Sequence, residues 1–311
     1  MVLIIGTQDG IYQVDDGEQI NETTKIADVG STMRVRTFDS TSGVFAATKT
    51  GLYHSTDGGQ TWNNLDLPKE EAYSIAVTPD GNRLFAGTHP AHLYQSTDNG
   101  KTWTELESFQ DLPSRDQWHT PRHRNEAHVR SLDIAEDMPT RVIAGVEVGG
   151  VHISDDRGQT WEERKEGVHD DVHHVEVIDG ETFVASCGGG LYWTDDGGQT
   201  WHRRDTSVDQ RYFREALYHN GTLYTAAASG PPGTWSGPNG ADAGLFVSTD
   251  NGQTLTPQEY PGHPEEVILA WTTKDGDVWA GTNDGRIIRQ ENGVWIEMGS
   301  VPSYIRSLTT L

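Results

Sequence analysis

The sequence has one cysteine, Cys187, in 311 residues. An intramolecular disulfide is therefore impossible, and the chain suits a reducing compartment. Positive charge is scarce as well. Six lysines and seventeen arginines face 47 acidic residues, giving a formal net charge of −24. Such a surface repels nucleic acid and anionic lipid over most of its area, so neither is expected as a partner. The longest apolar run near the N-terminus, Val2 to Ile5, is too short for a signal-peptide core or a membrane span. A cytoplasmic location without membrane attachment is the expectation. The sequence also lacks a Gly-x-Ser-x-Gly nucleophile elbow and a basic stripe for nucleic acid. Its glycine loops, such as Cys187-Gly188-Gly189-Gly190, open onto another strand and not onto a helix N-terminus, which excludes a phosphate cradle.

What is present is repetition. The phrase Ser55-Thr56-Asp57-Gly58-Gly59-Gln60-Thr61-Trp62 returns at Ser96 to Trp103, Ser154 to Trp161 and Thr194 to Trp201. A fifth copy, Ser248 to Leu255, replaces the Trp by Leu, and a worn sixth runs from Arg289 to Trp295. Short Ser and Asp side chains that accept backbone N–H bonds, followed by Gly, describe a tight turn, and the Trp then anchors the next strand between sheets. A second phrase, a strand of small residues followed by Gly and an apolar pair, occurs seven times, from Ile4-Ile5-Gly6 to Trp279-Ala280-Gly281. Each unit holds four short antiparallel strands, labelled A to D from the centre outward, and seven such units predict a seven-bladed β-propeller in one domain, residues 1–311. The chain begins on a B strand and ends on an orphan A-like strand, Tyr304 to Leu308. The last strand is therefore expected to complete the first blade and close the ring.

These phrases resemble the Asp-box, or BNR, repeats of the sialidase-like propellers, over nearly the whole chain. Related repeats occur in sialidases, xyloglucan-degrading enzymes, sorting-receptor ectodomains and photosystem-assembly factors, so the resemblance implies the fold and leaves the function open. Sialidases have six blades, an Arg-Ile-Pro motif and an arginine triad with a Tyr/Glu pair. This sequence has no Arg-Ile-Pro and seven units, which argues against sialidase activity. The excess of carboxylates fits either an ordinary acidic soluble protein or, the reading preferred here, the salt-rich cytoplasm of a halophilic archaeon.

Departures from the repeat are where function is expected. Two insertions, 104–128 and 229–243, lie on a D-to-A and a B-to-C connection, and both should cover one mouth of the central channel. Aligning the A strands by their apolar alternation puts Arg36, Arg130, Arg214 and Arg306 at one equivalent position, with Tyr73 in the third unit, His173 in the fifth, and an apolar residue near Val267 and Ile268 in the seventh. A ring of arginines predicts a funnel for a small anionic molecule or an acidic protein segment. The alternative is that each Arg pairs with an acid such as Glu147, Asp170, Asp171 or Glu215. Trp118 and Trp235, on the insertions, are expected to wall the pocket. Histidines cluster at the same mouth: His119, His123 and His128 on one side, His169 and His173 on the other, with Glu147 between. Imidazole and carboxylate suit a divalent Zn, Mn or Fe ion, although the spacing matches no standard motif. In the leading reading the protein is a hydrolase or lyase, with Glu147 or His173 as general base and His128 or Tyr212 as acid partner. The alternatives are a non-catalytic assembly scaffold and a glycoside hydrolase using Glu147 and Asp171. Cys187 reads as a buried structural thiol.

Overall fold

The computed structural model describes residues 2–14, 20, 22–120 and 122–311; Pro121 of the first insertion lies outside the described residues. The chain forms seven four-stranded antiparallel sheets. Six are continuous in sequence, and one is not: Ile305–Thr310 pairs with Leu3–Thr7, so the C-terminal strand supplies the A strand of blade 1. The A strands of neighbouring blades touch all the way round, including Ile305–Thr310 against Thr32–Arg36 on one side and Ile268–Lys274 on the other. The ring is therefore closed by strand pairing between the two ends of the chain.

The core lies between blades. Seven apolar clusters each join two adjacent sheets; Phe85 of blade 3, for example, packs with Val142 and Ala144 of blade 4. This is why the B strands contain small residues and are buried on both faces, as in Val44–Thr48 and Val142–Glu147. A Cβ on Gly87 would stand 2.7 Å from the Cβ of Val129 in the next blade. The blades approach too closely there for a larger residue.

The repeated turn has the chemistry that its sequence implies. In the first copy Gly59 N–H donates to Ser55 Oγ at 2.9 Å, and Ser55 Oγ donates to Asp57 Oδ1 at 2.9 Å. Asp57 also accepts from Thr61 N at 2.9 Å and Thr61 Oγ1 at 2.6 Å. The same bonds recur around Asp98, Asp156 and Asp196, and in part around Asp250. Gly59 has φ +86°, a conformation that side chains resist. Trp161 and Trp201 are buried in the inter-blade clusters, and Leu255 fills the corresponding place in the fifth copy.

Every A strand has the same irregularity. Its pairing with the B strand skips a residue near its start, for example between Val129 and Ser131, between Val172 and His174, and between Thr32 and Arg34. The skipped residues are Met33, Tyr73, Arg130, His173, Leu269 and Arg306, and in blade 6 Arg214 together with Glu215. A bulge of this kind turns a side chain out of the sheet, and Met33, Tyr73, Arg130, His173, Arg214, Leu269 and Arg306 converge on one narrow section of the channel.

Candidate active site

The bulge corrects the expected arginine ring. Arg130, Arg214 and Arg306 share one level of the channel, but the blade 2 residue at that level is Met33, not Arg36. Arg36 corresponds to Asp133 and pairs with it at 3.2 Å, near the opposite end of the channel. That end opens into a cavity of about 570 Å³ lined by Asp39, Asp133, Glu136, Asp137 and Asp179 as well as Arg36. Between the two ends, Arg34 pairs with Glu215, and burial pushes the Glu176 carboxyl up to about 8. Ser74, Ser131 and Ser307, each following its bulge, hydrogen-bond to the backbone of Val129, Val175 and Val35 and stitch neighbouring blades together.

The cationic mouth is a cavity of about 390 Å³. Arg122 and His123 from the first insertion and Pro232 and Gly233 from the second line it, so both insertions meet at this mouth. Among the described residues its charged lining is Lys49, Arg122, Arg130, Arg214 and Arg306 against one carboxylate, Glu147. Tyr73, Tyr212 and Tyr304 supply the hydroxyl-bearing walls. Arg130 pairs with Glu147. Arg214 and Arg306 have no carboxylate partner among the described residues. Arg214 Nη1 donates to Tyr212 Oη at 3.3 Å, the Arg306 guanidinium lies over the Tyr304 ring, and both Nε atoms are buried without a bond. Burial, together with repulsion from Arg214 and Arg130, holds the Arg306 pKa below the usual guanidinium value.

The predicted tryptophan walls lie elsewhere. Trp118 is buried beneath the first insertion against Phe109 and His152, its Nε1 bonded to Ser114 Oγ at 2.9 Å. Trp235 is buried behind Tyr212, with ring centroids 6.2 Å apart and Nε1 bonded to Gly230 O at 2.8 Å. Both rings support the mouth from behind, because each insertion needs an apolar foot to hold it on the ring.

Beside the arginines lies a cluster of acids and histidines. Glu147, 4 % exposed, receives Arg130 and lies 3.3 Å from His128 Nε2 and 3.5 Å from His123 Nε2. Burial raises the Glu147 carboxyl, but Arg130 and His128 outweigh it and hold it well below the usual range. His128 is fully buried, which lowers it to about 4, so it is neutral at pH 7 and ill suited as a proton-donating acid. His173 donates Nδ1–H to Phe213 O at 2.6 Å, leaving Nε2 as its free acceptor, 3.5 Å from Asp171 Oδ1. Burial raises the Asp171 carboxyl, and His173 and Arg122 pull it below its ordinary value. Burial lowers His173 too. Two ligand sets have their donor atoms within 4.8 Å of one another: His123, His128 and Glu147, and Glu147, Asp171 and His173. His119 is exposed and belongs to neither. His169 also stays outside, its Nδ1 accepting from Asp171 N at 3.1 Å. Neither Glu147 nor Asp171 has the raised pKa of a glycosidase's general acid. Burial pushes the Cys187 thiol far up, consistent with an inert side chain. Arg122 and Lys49 are absent from the expectation drawn from the sequence. For Arg122 a signal existed: two arginines flanking a histidine in so acidic a chain.

A family model described as photosynthesis system II assembly factor YCF48 matches residues 13–130, and the BNR/Asp-box repeat matches 152–163 and 192–203. The chain carries BNR/Asp-box repeats. No curated protein matches its sequence. Among solved structures it is similar to the GH74 enzyme of Niastella koreensis (18 % identity, TM-score 0.61, covering 95 % of this chain and 47 % of that one). It is also similar to the GH74 xyloglucanase from Xanthomonas campestris (16 %, 0.63, 86 % and 45 %). YCF48 bound to D1 peptide is a third such structure (16 %, 0.63, 94 % and 86 %). The chain thus spans somewhat under half the length of the two GH74 proteins. At these identities the likeness establishes the propeller fold and nothing finer.

Proposed function

We propose that the cationic mouth binds an anion and that the protein is a hydrolase or lyase acting on a small carboxylate- or phosphate-bearing substrate. The observation behind this is that Arg214 and Arg306 are partly buried, with their Nε atoms shut off from solvent, and are unmatched by any carboxylate among the described residues, in a protein of net charge −24. Withdrawing an unneutralised guanidinium from water, even in part, is costly unless an anion completes it. In this reading Arg214 and Arg306 hold the substrate anion and Arg130 divides its bonds between substrate and Glu147. His173 is the general base. Its tautomer is fixed by Phe213 O, its Nε2 is free, and Asp171 stands ready to stabilise the imidazolium once a proton arrives. Tyr212, whose oxygen accepts from Arg214, keeps its O–H for the substrate and is the acid partner.

A second reading is favoured by the match to the assembly-factor family model and by the solved complex of YCF48 with a peptide. In it the same arginines dock an acidic protein segment and no turnover occurs. Calorimetric titration with di- and tricarboxylates and with an acidic peptide separates the two. Arg214→Ala and Arg306→Ala should each weaken anion binding at least about tenfold, a loss of ~1.4 kcal/mol. His173→Ala should abolish turnover and leave anion binding intact. Anion affinities unchanged in both arginine variants would refute the anion site. Peptide capture that is insensitive to His173→Ala, with no turnover in a substrate screen, would favour docking.

A further inference from the structure

We propose a divalent transition-metal site of zinc type in the wall of the cationic mouth, with His123, His128 and Glu147 as its protein ligands. Fully buried His128 makes no well-aligned hydrogen bond through either ring nitrogen, and its Nε2 lies 3.3 Å from the Glu147 carboxylate. Buried imidazoles are rarely left unpartnered, and an ion is a standard reason when they are. On the other side His123 Nε2 stands 3.5 Å from the second oxygen of the same carboxylate. These separations are long for charge-assisted hydrogen bonds, which run at about 2.7–2.9 Å. Each is close to the roughly 3.3–3.4 Å that separates two ligands with bonds of about 2.0–2.1 Å around zinc, and one donor atom from each of His123, His128 and Glu147 lies within 4.8 Å of the other two.

The chemistry of the donors agrees. Two imidazoles and a carboxylate are a ligand set for Zn or a similar first-row ion, and three protein ligands leave a position for water or substrate. His123 and Glu147 both line the cavity, so that open position faces the mouth. Asp171 Oδ1, buried and without a hydrogen bond, lies with Glu147 and His173 in the adjoining ligand set. Glu147 is shared with Arg130, so the ion takes a carboxylate whose charge is already partly matched. The site stands on its own ligands and does not require the arginine reading to be correct.

The test uses tag-free protein stripped of metal with a chelator, then titrated with Zn²⁺ by calorimetry and with Co²⁺ by visible absorption. One Zn²⁺ per chain is expected, together with the Co²⁺ ligand-field bands of a low-coordinate site. His123→Ala, on the surface insertion, and the isosteric Glu147→Gln should remain folded by circular dichroism and weaken Zn²⁺ binding at least about tenfold. Arg214→Ala should bind Zn²⁺ as the wild type does, so a failed anion site and a failed metal site give different results. Absence of stoichiometric Zn²⁺ binding would overturn the proposal. So would equal affinity in wild type, His123→Ala and Glu147→Gln, because the ion would then be bound elsewhere.

Discussion

Single side chains in this protein are set by which hydrogen-bond partners the fold leaves them. The turn aspartates illustrate this. Thr61 and Thr102 donate to the carboxylates of Asp57 and Asp98 and bring both to about 2, and Ser248 leads the same effect at Asp250. Their folded pKa lies below the unfolded value of about 3.9, so the charged form contributes stability above pH ~4 and loses it as the pH falls through ~2. Asp57→Asn should therefore lower the melting temperature at pH 7, and the gap to wild type should shrink towards pH 2. A gap constant with pH, measured by differential scanning calorimetry, would show that the ionised form contributes nothing special. These turns were legible in the sequence because their bonds are local. The channel ring was legible only in part. The pair Val35-Arg36 imitates Val129-Arg130, so apolar alternation aligns them, but the bulge makes Val35 the equivalent of Leu132 and puts Met33 at the level of Arg130. A bulge is decided by how a strand meets its neighbour, and nothing in the strand's own alternation announces it.

At the level of strands, the ring depends on one pairing that crosses the whole chain. Ile305–Thr310 hydrogen-bonds to Leu3–Thr7, and Val2 and Leu311 exchange backbone bonds at 2.9 Å in both directions. Without that strand blade 1 keeps three strands, its inner edge is open, and the cluster containing Ile305 and Leu308 loses its centre. Removal of residues 304–311 should abolish the cooperative unfolding transition, a loss comparable with the whole ~5–15 kcal/mol that holds a domain folded. The deleted strand added in trans as a synthetic peptide should restore it. A truncated chain that still unfolds in one sharp transition near the wild-type temperature would show that the closure is dispensable. The sequence disclosed this element because an A-like strand was missing at one end of the chain and left over at the other. It did not disclose that both inserted tryptophans would turn inward, since an apolar ring on a long loop suits a pocket wall and a loop's foothold equally well.

Charge is the property that belongs to the molecule as a whole. A formal net charge of −24 is spread over a propeller whose one mouth is lined by arginine and lysine and whose other is lined by aspartate and glutamate. The two features respond to salt in opposite ways. Like-charge repulsion across the acidic surface destabilises the compact state, and salt screens it, the Debye length falling from about 30 Å at 0.01 M to about 3 Å at 1 M. The melting temperature should therefore rise steadily as KCl increases across that range. Attraction of an anion to the mouth is weakened by the same screening, so its affinity should fall, but less steeply, because Arg214 and Arg306 are largely shielded from solvent. Melting curves and anion titrations on one KCl series test both halves. A melting temperature indifferent to salt would mean that the surface carboxylates are too well separated, or too well paired with the seventeen arginines, to strain the fold, and the composition would then reflect solubility alone.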